Sequence, residues 1–242
     1  DRRDAVAAEA TARAAIAVAS PVSGDAIRLT NRAWSFSRTE LRQTLGLRQL
    51  KVLNDFGAVA WAMPALGSDG RETLYGDPAA PLAGPVSILG PGTGLGVAQL
   101  VGSAARGWHV IETEGGHVSF APQGDEEQLI ATWMNARFGR TSNERLLSGA
   151  GLSHIDAALA AGDTSPTLEL LQAPVRDPAD IVAAALEGHD VIARRALARF
   201  CAVLGSVAGD AALIHGARTV MIAGGIVPRF VPFLRASAFR ER

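Results

Sequence analysis

The segment Gly90-Pro91-Gly92-Thr93-Gly94-Leu95-Gly96 limits what this chain can fold into more than any other. It is entered from the apolar run Val86-Ser87-Ile88-Leu89 and left through Val97 to Val101. Four glycines and a proline in seven residues cannot continue a helix, and the short apolar runs on either side read as strands. The order strand, glycine turn, strand predicts a hairpin. The glycines have two readings. They supply the positive φ of a tight turn, or they let backbone N–H groups approach a phosphate while Thr93 adds a hydroxyl. The dinucleotide fingerprint does not fit, because Gly90 and Gly92 would require glycine where Leu95 stands. The Walker pattern fails as well, since no Lys-Ser or Lys-Thr follows.

Strands and helices alternate around this hairpin. Residues 1–12 are alanine-rich and helical in pattern, and Ala15 to Ala19 is a short apolar strand closed by Ser20-Pro21. Ile27 to Thr30 alternates like a strand, and Ser37-Arg38-Thr39-Glu40 has the spacing of a capping box that opens a helix through about Leu45. Leu50 to Leu53 is a strand ending at Asn54-Asp55. A helix follows from Phe56 to Ala65, kinked or ended near Pro64. Residues 67–84 are rich in Gly, Pro and Asp and mark a domain boundary or surface loop. Two further short strands are expected near Val110-Ile111 and His117 to Phe120. Helices are expected over about 125–138, 142–148, 151–161, 179–187 and 190–214. The strand Thr219 to Ile222 leads into Gly224-Gly225 and a last helix from Pro228. The pattern is α/β, and its glycine-rich strand ends are where such a fold binds ligands.

Charge and cysteine content exclude several functions. With 23 basic and 24 acidic residues the formal net charge is −1, so no basic field holds nucleic acid through phosphate contacts. The first residues are too charged for a secretory leader, and no apolar run approaches the ~18–20 residues of a membrane span. The single cysteine, Cys201, excludes an internal disulfide and a multi-cysteine zinc site, and fits a reducing, cytoplasmic setting.

Several polar residues sit where chemistry could be done. Asn54-Asp55 is either an N-cap or a carboxylate at a strand's carboxyl end, able to accept a hydroxyl proton. Glu112-Thr113-Glu114-Gly115-Gly116-His117 places acid and imidazole around a double glycine, which reads either as a polar pocket or as a lone histidine satisfied in the core or set on the surface. Glu144, in Ser142-Asn143-Glu144-Arg145, is a glutamate suited to a first helical turn when taken alone. Gly224-Gly225 is a strand-end turn or a place where a planar base lies against backbone.

Singly these signals are weak; their order is specific. Leu29-Thr30-Asn31-Arg32-Ala33-Trp34-Ser35-Phe36-Ser37, then Asn54-Asp55-Phe56, the glycine hairpin, Glu114-Gly115-Gly116-His117-Val118, Glu144-Arg145-Leu146-Leu147-Ser148-Gly149 and Ile222 to Phe230 together resemble bacterial ATP-dependent glucokinase along nearly the whole chain. The resemblance implies the two-domain hexokinase–actin (ribonuclease H-like) fold. Residues 1–66 would form part of the small domain and 67–242 the large one. It implies phosphorylation of glucose by ATP with Mg²⁺, and it allows a homodimer. By the same resemblance Asp55 is the catalytic base, and Asn54, Glu114, His117 and Glu144 bind the sugar. Gly92, Thr93 and Gly94 face the ATP phosphates, and Gly224 and Gly225 the adenosine. A sugar-binding module without catalysis and a kinase for another hexose are the alternatives. Transcriptional relatives carry a helix-turn-helix and usually a cysteine-rich zinc motif, and neither is seen here.

The chain departs from that family in one respect. Its first phosphate motif, of the form Asp-Xaa-Gly-Gly-Thr, does not occur before Ala15, and the family's closing helix is also missing. The expectation is a piece of a longer protein with an incomplete small domain and exposed apolar sheet edges. Phosphoryl transfer rests on electrostatic positioning, so the loss of one of two phosphate clamps costs orders of magnitude. Residues 1–242 alone should therefore give negligible glucose 6-phosphate in a coupled assay, beside a chain extended at both ends. Comparable turnover from the two would refute this.

Overall fold

The computed structural model describes residues 13–20, 22–29, 33–162 and 167–242. The helix expected over 1–12 lies outside the described residues, as do Pro21 and Thr30-Asn31-Arg32. Two compact units are present, Asp1–Ala65 and Leu66–Arg242.

In the first unit, β1 (Arg13–Val18), β2 (Ala26–Arg28), β3 (Ser35–Ser37), α1 (Arg38–Thr44), β4 (Gln49–Asn54) and α2 (Asp55–Ala62) follow in order, and a 3₁₀ turn over Met63–Ala65 precedes the loop. β1 runs parallel to β4, with Val18 opposite Asn54, and β2 pairs antiparallel with β3. Val18, Ile27 and Val52 bury a small apolar cluster. The Ser37 hydroxyl accepts the Glu40 N–H at 3.1 Å, which is the cap that the Ser-Arg-Thr-Glu spacing implied. β3 was not expected; its three residues are too few to show a period.

The second unit contains β5 (Val86–Pro91), β6 (Leu95–Ser103) and β7 (Gly107–Thr113), followed by α3 (Gly124–Phe138), α4 (Asn143–Leu146), α5 (Gly149–Ala161), α6 (Leu168–Gln172), α7 (Pro178–Glu187) and α8 (Val191–His215). β8 (Thr219–Ile222) and α9 (Val231–Arg235) complete it. The sheet order is β7-β6-β5-β8: an antiparallel meander extended by β8, which returns parallel to β5 after the helices. β5 is buried along its whole length. The second short strand expected over 117–120 is absent. Gly115–His117 is a 3₁₀ turn instead, and Ser119 makes only an isolated bridge to Ser142. The paired glycines let this turn lie close against β6, where an added Cβ would meet Val97 or the Leu95 carbonyl oxygen, and Val118 is exposed to solvent.

α8 is the core of this unit. By length and composition it could cross a membrane, contrary to the expectation that no segment approached that, yet 56% of its most apolar stretch is buried among the other elements. Phe200, Cys201 and Leu204 are completely buried, and Phe200 meets Phe230 edge to face at 6.2 Å. Burial pushes the Cys201 thiol up to about 12, which leaves it an inert small hydrophobe.

Two features of this core lead to measurable outcomes. Gly224 has φ +91, and a Cβ added there would run into the Pro91 carbonyl oxygen, whereas an added Cβ at Gly225 meets open space. Gly224→Ala should cost more than about 1 kcal/mol in chemical denaturation, and Gly225→Ala less than about 0.5 kcal/mol. Second, the half-buried His154 ring packs against Trp133 and Phe138. Its burial, then the Arg137 and Arg145 guanidiniums, lower it from 6.5 to about 4. The unfolded chain takes up this proton below its ordinary value and the folded one does not. The histidine's contribution to stability is therefore full above pH 6.5 and is lost as pH falls toward 4. His154→Gln should flatten the drop in melting temperature between about pH 7 and about pH 5. Equal slopes in variant and parent would clear His154 of this role.

Candidate functional site

Within the first unit, Asn54 closes β4 and caps α2. Its side-chain carbonyl accepts the N–H groups of Phe56 at 2.9 Å and Gly57 at 3.1 Å, and its amide donates to the Ser20 carbonyl at 3.4 Å. The capping role weighed from sequence thus falls on Asn54. Asp55, the first residue of α2, stands exposed at the strand's carboxyl end and accepts the Phe56 N–H at 2.8 Å. An ionised carboxylate in that place can take a proton from a hydroxyl.

In the second unit the other polar candidates meet. The 3₁₀ turn after β7 carries Glu114 and His117, and the first turn of α4 carries Glu144. Glu114 Oε2 lies 3.7 Å from His117 Nε2, and Glu144 Oε1 lies 3.7 Å from His117 Nδ1. Those gaps exceed a hydrogen bond. A hydroxyl oxygen at ~2.8 Å from each polar atom could sit to one side and bridge either pair. The side chains of Glu114, His117 and Glu144 are 70%, 57% and 33% exposed, so water reaches all three.

The hairpin lies beside this cluster. Gly92, Thr93 and Gly94 form its turn between the paired residues Pro91 and Leu95, with the Gly92 N–H donating to the Gly94 carbonyl at 2.8 Å. None of Gly90, Gly92, Gly94 and Gly96 has positive φ, so the expectation that these glycines supply the positive φ of a tight turn is corrected. Clearance is what Gly94 supplies: a Cβ there would lie 2.5 Å from Glu144 Oε2. At the other end of the turn the Gly92 carbonyl accepts the Gly149 N–H at 2.9 Å, at the start of α5.

Thr93, His117 and Glu144 line one open cavity of about 400 Å³, together with Arg140, Arg145 and His154. Those last three were not among the sequence candidates. Arg140 donates to the His117 carbonyl at 2.7 Å and to the Ser119 hydroxyl at 3.1 Å, so it fixes the turn that carries His117. The Arg145 guanidinium stacks over Phe138 at 4.3 Å. The one local signal for the two arginines is the polar run Arg140 to Arg145 directly after the helix stop at Gly139, and His154 has none.

Gly224 and Gly225 follow β8, where the Ala223 N–H donates to the Leu89 carbonyl at 2.7 Å. Gly224 therefore has a packing reason of its own, against Pro91 just before the hairpin turn, and Gly225 has none. Among the described residues no group of three or more His, Cys, Asp or Glu could cage a metal ion.

Comparison with known proteins gives this geometry a family. The Glucokinase family model matches residues 2–242. The chain is 47% identical over 238 residues to the glucokinase of Chromobacterium violaceum, covering 98% of this chain and 66% of that protein. It thus spans about two thirds of that relative's length. A crystal structure of glucokinase from an Antarctic psychrotroph superposes with a TM-score of 0.79 at 36% identity, over 96% of this chain and 70% of that one. The glucokinase of Balamuthia mandrillaris, solved in complex with glucose, shares the fold with a TM-score of 0.67 at 22% identity, over 96% and 72%. The α/β hexokinase–actin-like architecture expected from the order of motifs is therefore the observed one. With its family match running from residue 2 to residue 242 and a bacterial relative at this level of identity, the chain belongs to the glucokinase family.

Proposed function

We propose that the whole protein transfers the γ-phosphoryl group of ATP to the 6-hydroxyl of glucose, in the cytoplasm. The observation that carries this reading is the shared cavity. Thr93 of the glycine hairpin, assigned to phosphate, lines it together with His117 and Glu144, assigned to sugar. A kinase needs a hydroxyl-rich substrate and a phosphate cradle side by side, because positioning supplies much of the rate.

In this reading the sugar O6 attacks the γ-phosphorus, the bond to the bridging oxygen breaks, and ADP leaves. Asp55 takes the proton from O6, and Asn54 orients the sugar next to it. Glu114, His117 and Glu144 hold sugar hydroxyls, and so penalise a sugar that leaves them unpaired. Gly92, Thr93 and Gly94 receive phosphate oxygens, and Gly224-Gly225 the adenosine. Mg²⁺ enters as part of the nucleotide substrate, a mode of binding in which phosphates and water supply most ligands. Residues 1–66 and 67–242 serve as small and large domains.

The test is kinetic, in the whole protein. Asp55→Asn should keep glucose affinity within a few-fold and lower kcat by about 10² or more, the scale of a positioned base. Near-normal turnover would remove Asp55 from that role. Replacing Glu114, His117 or Glu144 by alanine should weaken glucose binding by ~1–3 kcal/mol, read by calorimetry. Unchanged affinity in all three would favour a different sugar or a different site. Glucose binding without any phosphoryl transfer would favour the binding module.

A further inference from the structure

Glu144 reaches two places at once. Its Oε2 accepts the Leu95 N–H at 3.0 Å, and Leu95 is the residue immediately after the Gly92–Gly94 turn. Its Oε1 faces His117. Leu95 is also approached by Gly116 of the 3₁₀ turn, where an added Cβ would collide with the Leu95 carbonyl oxygen. The turn that carries Glu114 and His117 and the turn of the hairpin therefore abut the same residue. Among the described residues, two hydrogen bonds tie the hairpin tip to the helical segment: Glu144 to Leu95, and Gly149 to Gly92. The second is backbone to backbone. Only the first uses a side chain that also faces His117.

We infer that Glu144 is a positioning residue for the glycine hairpin, and that through it sugar and nucleotide strengthen each other's binding. The inference rests on the proposed reading, in which Glu144 meets the sugar and the hairpin meets the phosphates. A carboxylate is a rigid plane, so a hydroxyl that fixes one oxygen also fixes the direction of the other. In the free protein Oε1 has His117 only at 3.7 Å, beyond hydrogen-bond reach, which leaves that end of the plane held less firmly than Oε2. A sugar hydroxyl donating to Oε1 would clamp it and would hold Oε2 on the Leu95 N–H. The same hydroxyl offsets negative charge that would otherwise repel phosphate oxygens at the hairpin. Both effects favour nucleotide binding when sugar is present, and linkage makes the benefit mutual. Gly94 belongs to the device, because a side chain at that position would displace Oε2.

The experiment is calorimetry on the whole protein. Glucose and the non-hydrolysable analogue AMP-PNP with Mg²⁺ are titrated separately, and then each in saturating amounts of the other. The parent should show mutual tightening of about fivefold or more. Glu144→Asp is one methylene too short to span from α4 to the Leu95 N–H. Gly94→Ala attacks the same contact from the hairpin, displacing the carboxylate while keeping the glutamate itself. Both should bring the factor below about twofold, with thermal melts showing that each variant is folded. Parental coupling in both variants would overturn the inference. So would a parent that binds both ligands with no mutual effect, while leaving the proposed function standing. A parent that binds neither ligand would overturn the proposed function, and this inference with it.

Discussion

The need to cover α8 sets the layout of the larger unit. A helix of 25 residues, buried at positions from Ala193 to Ala211, has to be wrapped by neighbours on most sides. Each large apolar side chain withdrawn from water contributes roughly 1.5–3 kcal/mol, against about 1–2 kcal/mol of backbone entropy per ordered residue. The wrapping is directed by charges near its amino-terminal half. Arg176 joins Asp156 of α5 to Asp190, the α8 cap, and the bonds it donates to both carboxylates raise the guanidinium's pKa. Arg195 and Arg199 reach Glu126 on α3. Burial raises that carboxylate's pKa, but the two guanidiniums outweigh it and hold the pKa below its ordinary value. With α5 located in this way, its first N–H lies under the Gly92 carbonyl. The place of the hairpin is thus a consequence of core packing, reached through one helix.

What could be read in the sequence follows from how far apart the causes lie. The hairpin strands and the helices α3, α5, α7 and α8 were legible because their signals are local: apolar runs, helical periods, and glycines at 139, 162, 188 and 216 where the helices stop. β3 and α6 were missed, and the expected strand over 117–120 is a 3₁₀ turn. These are short elements whose form is decided by what they touch. The hairpin glycines were legible as a turn, but the reason for Gly94 was not. It depends on Glu144, which lies far along the chain in α4. Arg140 and His154 carry no motif, Arg145 has only its place beside Glu144 in one, and only the fold brings the three to one cavity. The candidate site residues were picked out by the order of several motifs, since no one of them had enough specificity alone.

The glutamates of this chain show how a carboxylate saturated by the fold differs from one left open to solvent. Glu127 is buried to 1% exposure and saturated. It accepts the Gln123 N–H at 2.7 Å and a bond from Arg199 at 3.1 Å, and it pairs with Arg242. Removing a partner from such a group strands a charge in the interior, at a cost of about 3–5 kcal/mol, so the arrangement is structural. Glu114 is the opposite case. It is mostly exposed and meets His117 only at 3.7 Å, a contact that contributes little to stability. Its hydrogen-bonding capacity is therefore turned toward solvent, or toward whatever replaces solvent. Glu144 lies between the two, with one oxygen committed to the backbone of the hairpin and the other facing His117 and the cavity. In the proposed reading, a group of that kind registers a ligand on one side and the fold on the other, which neither a saturated nor a fully solvated carboxylate can do.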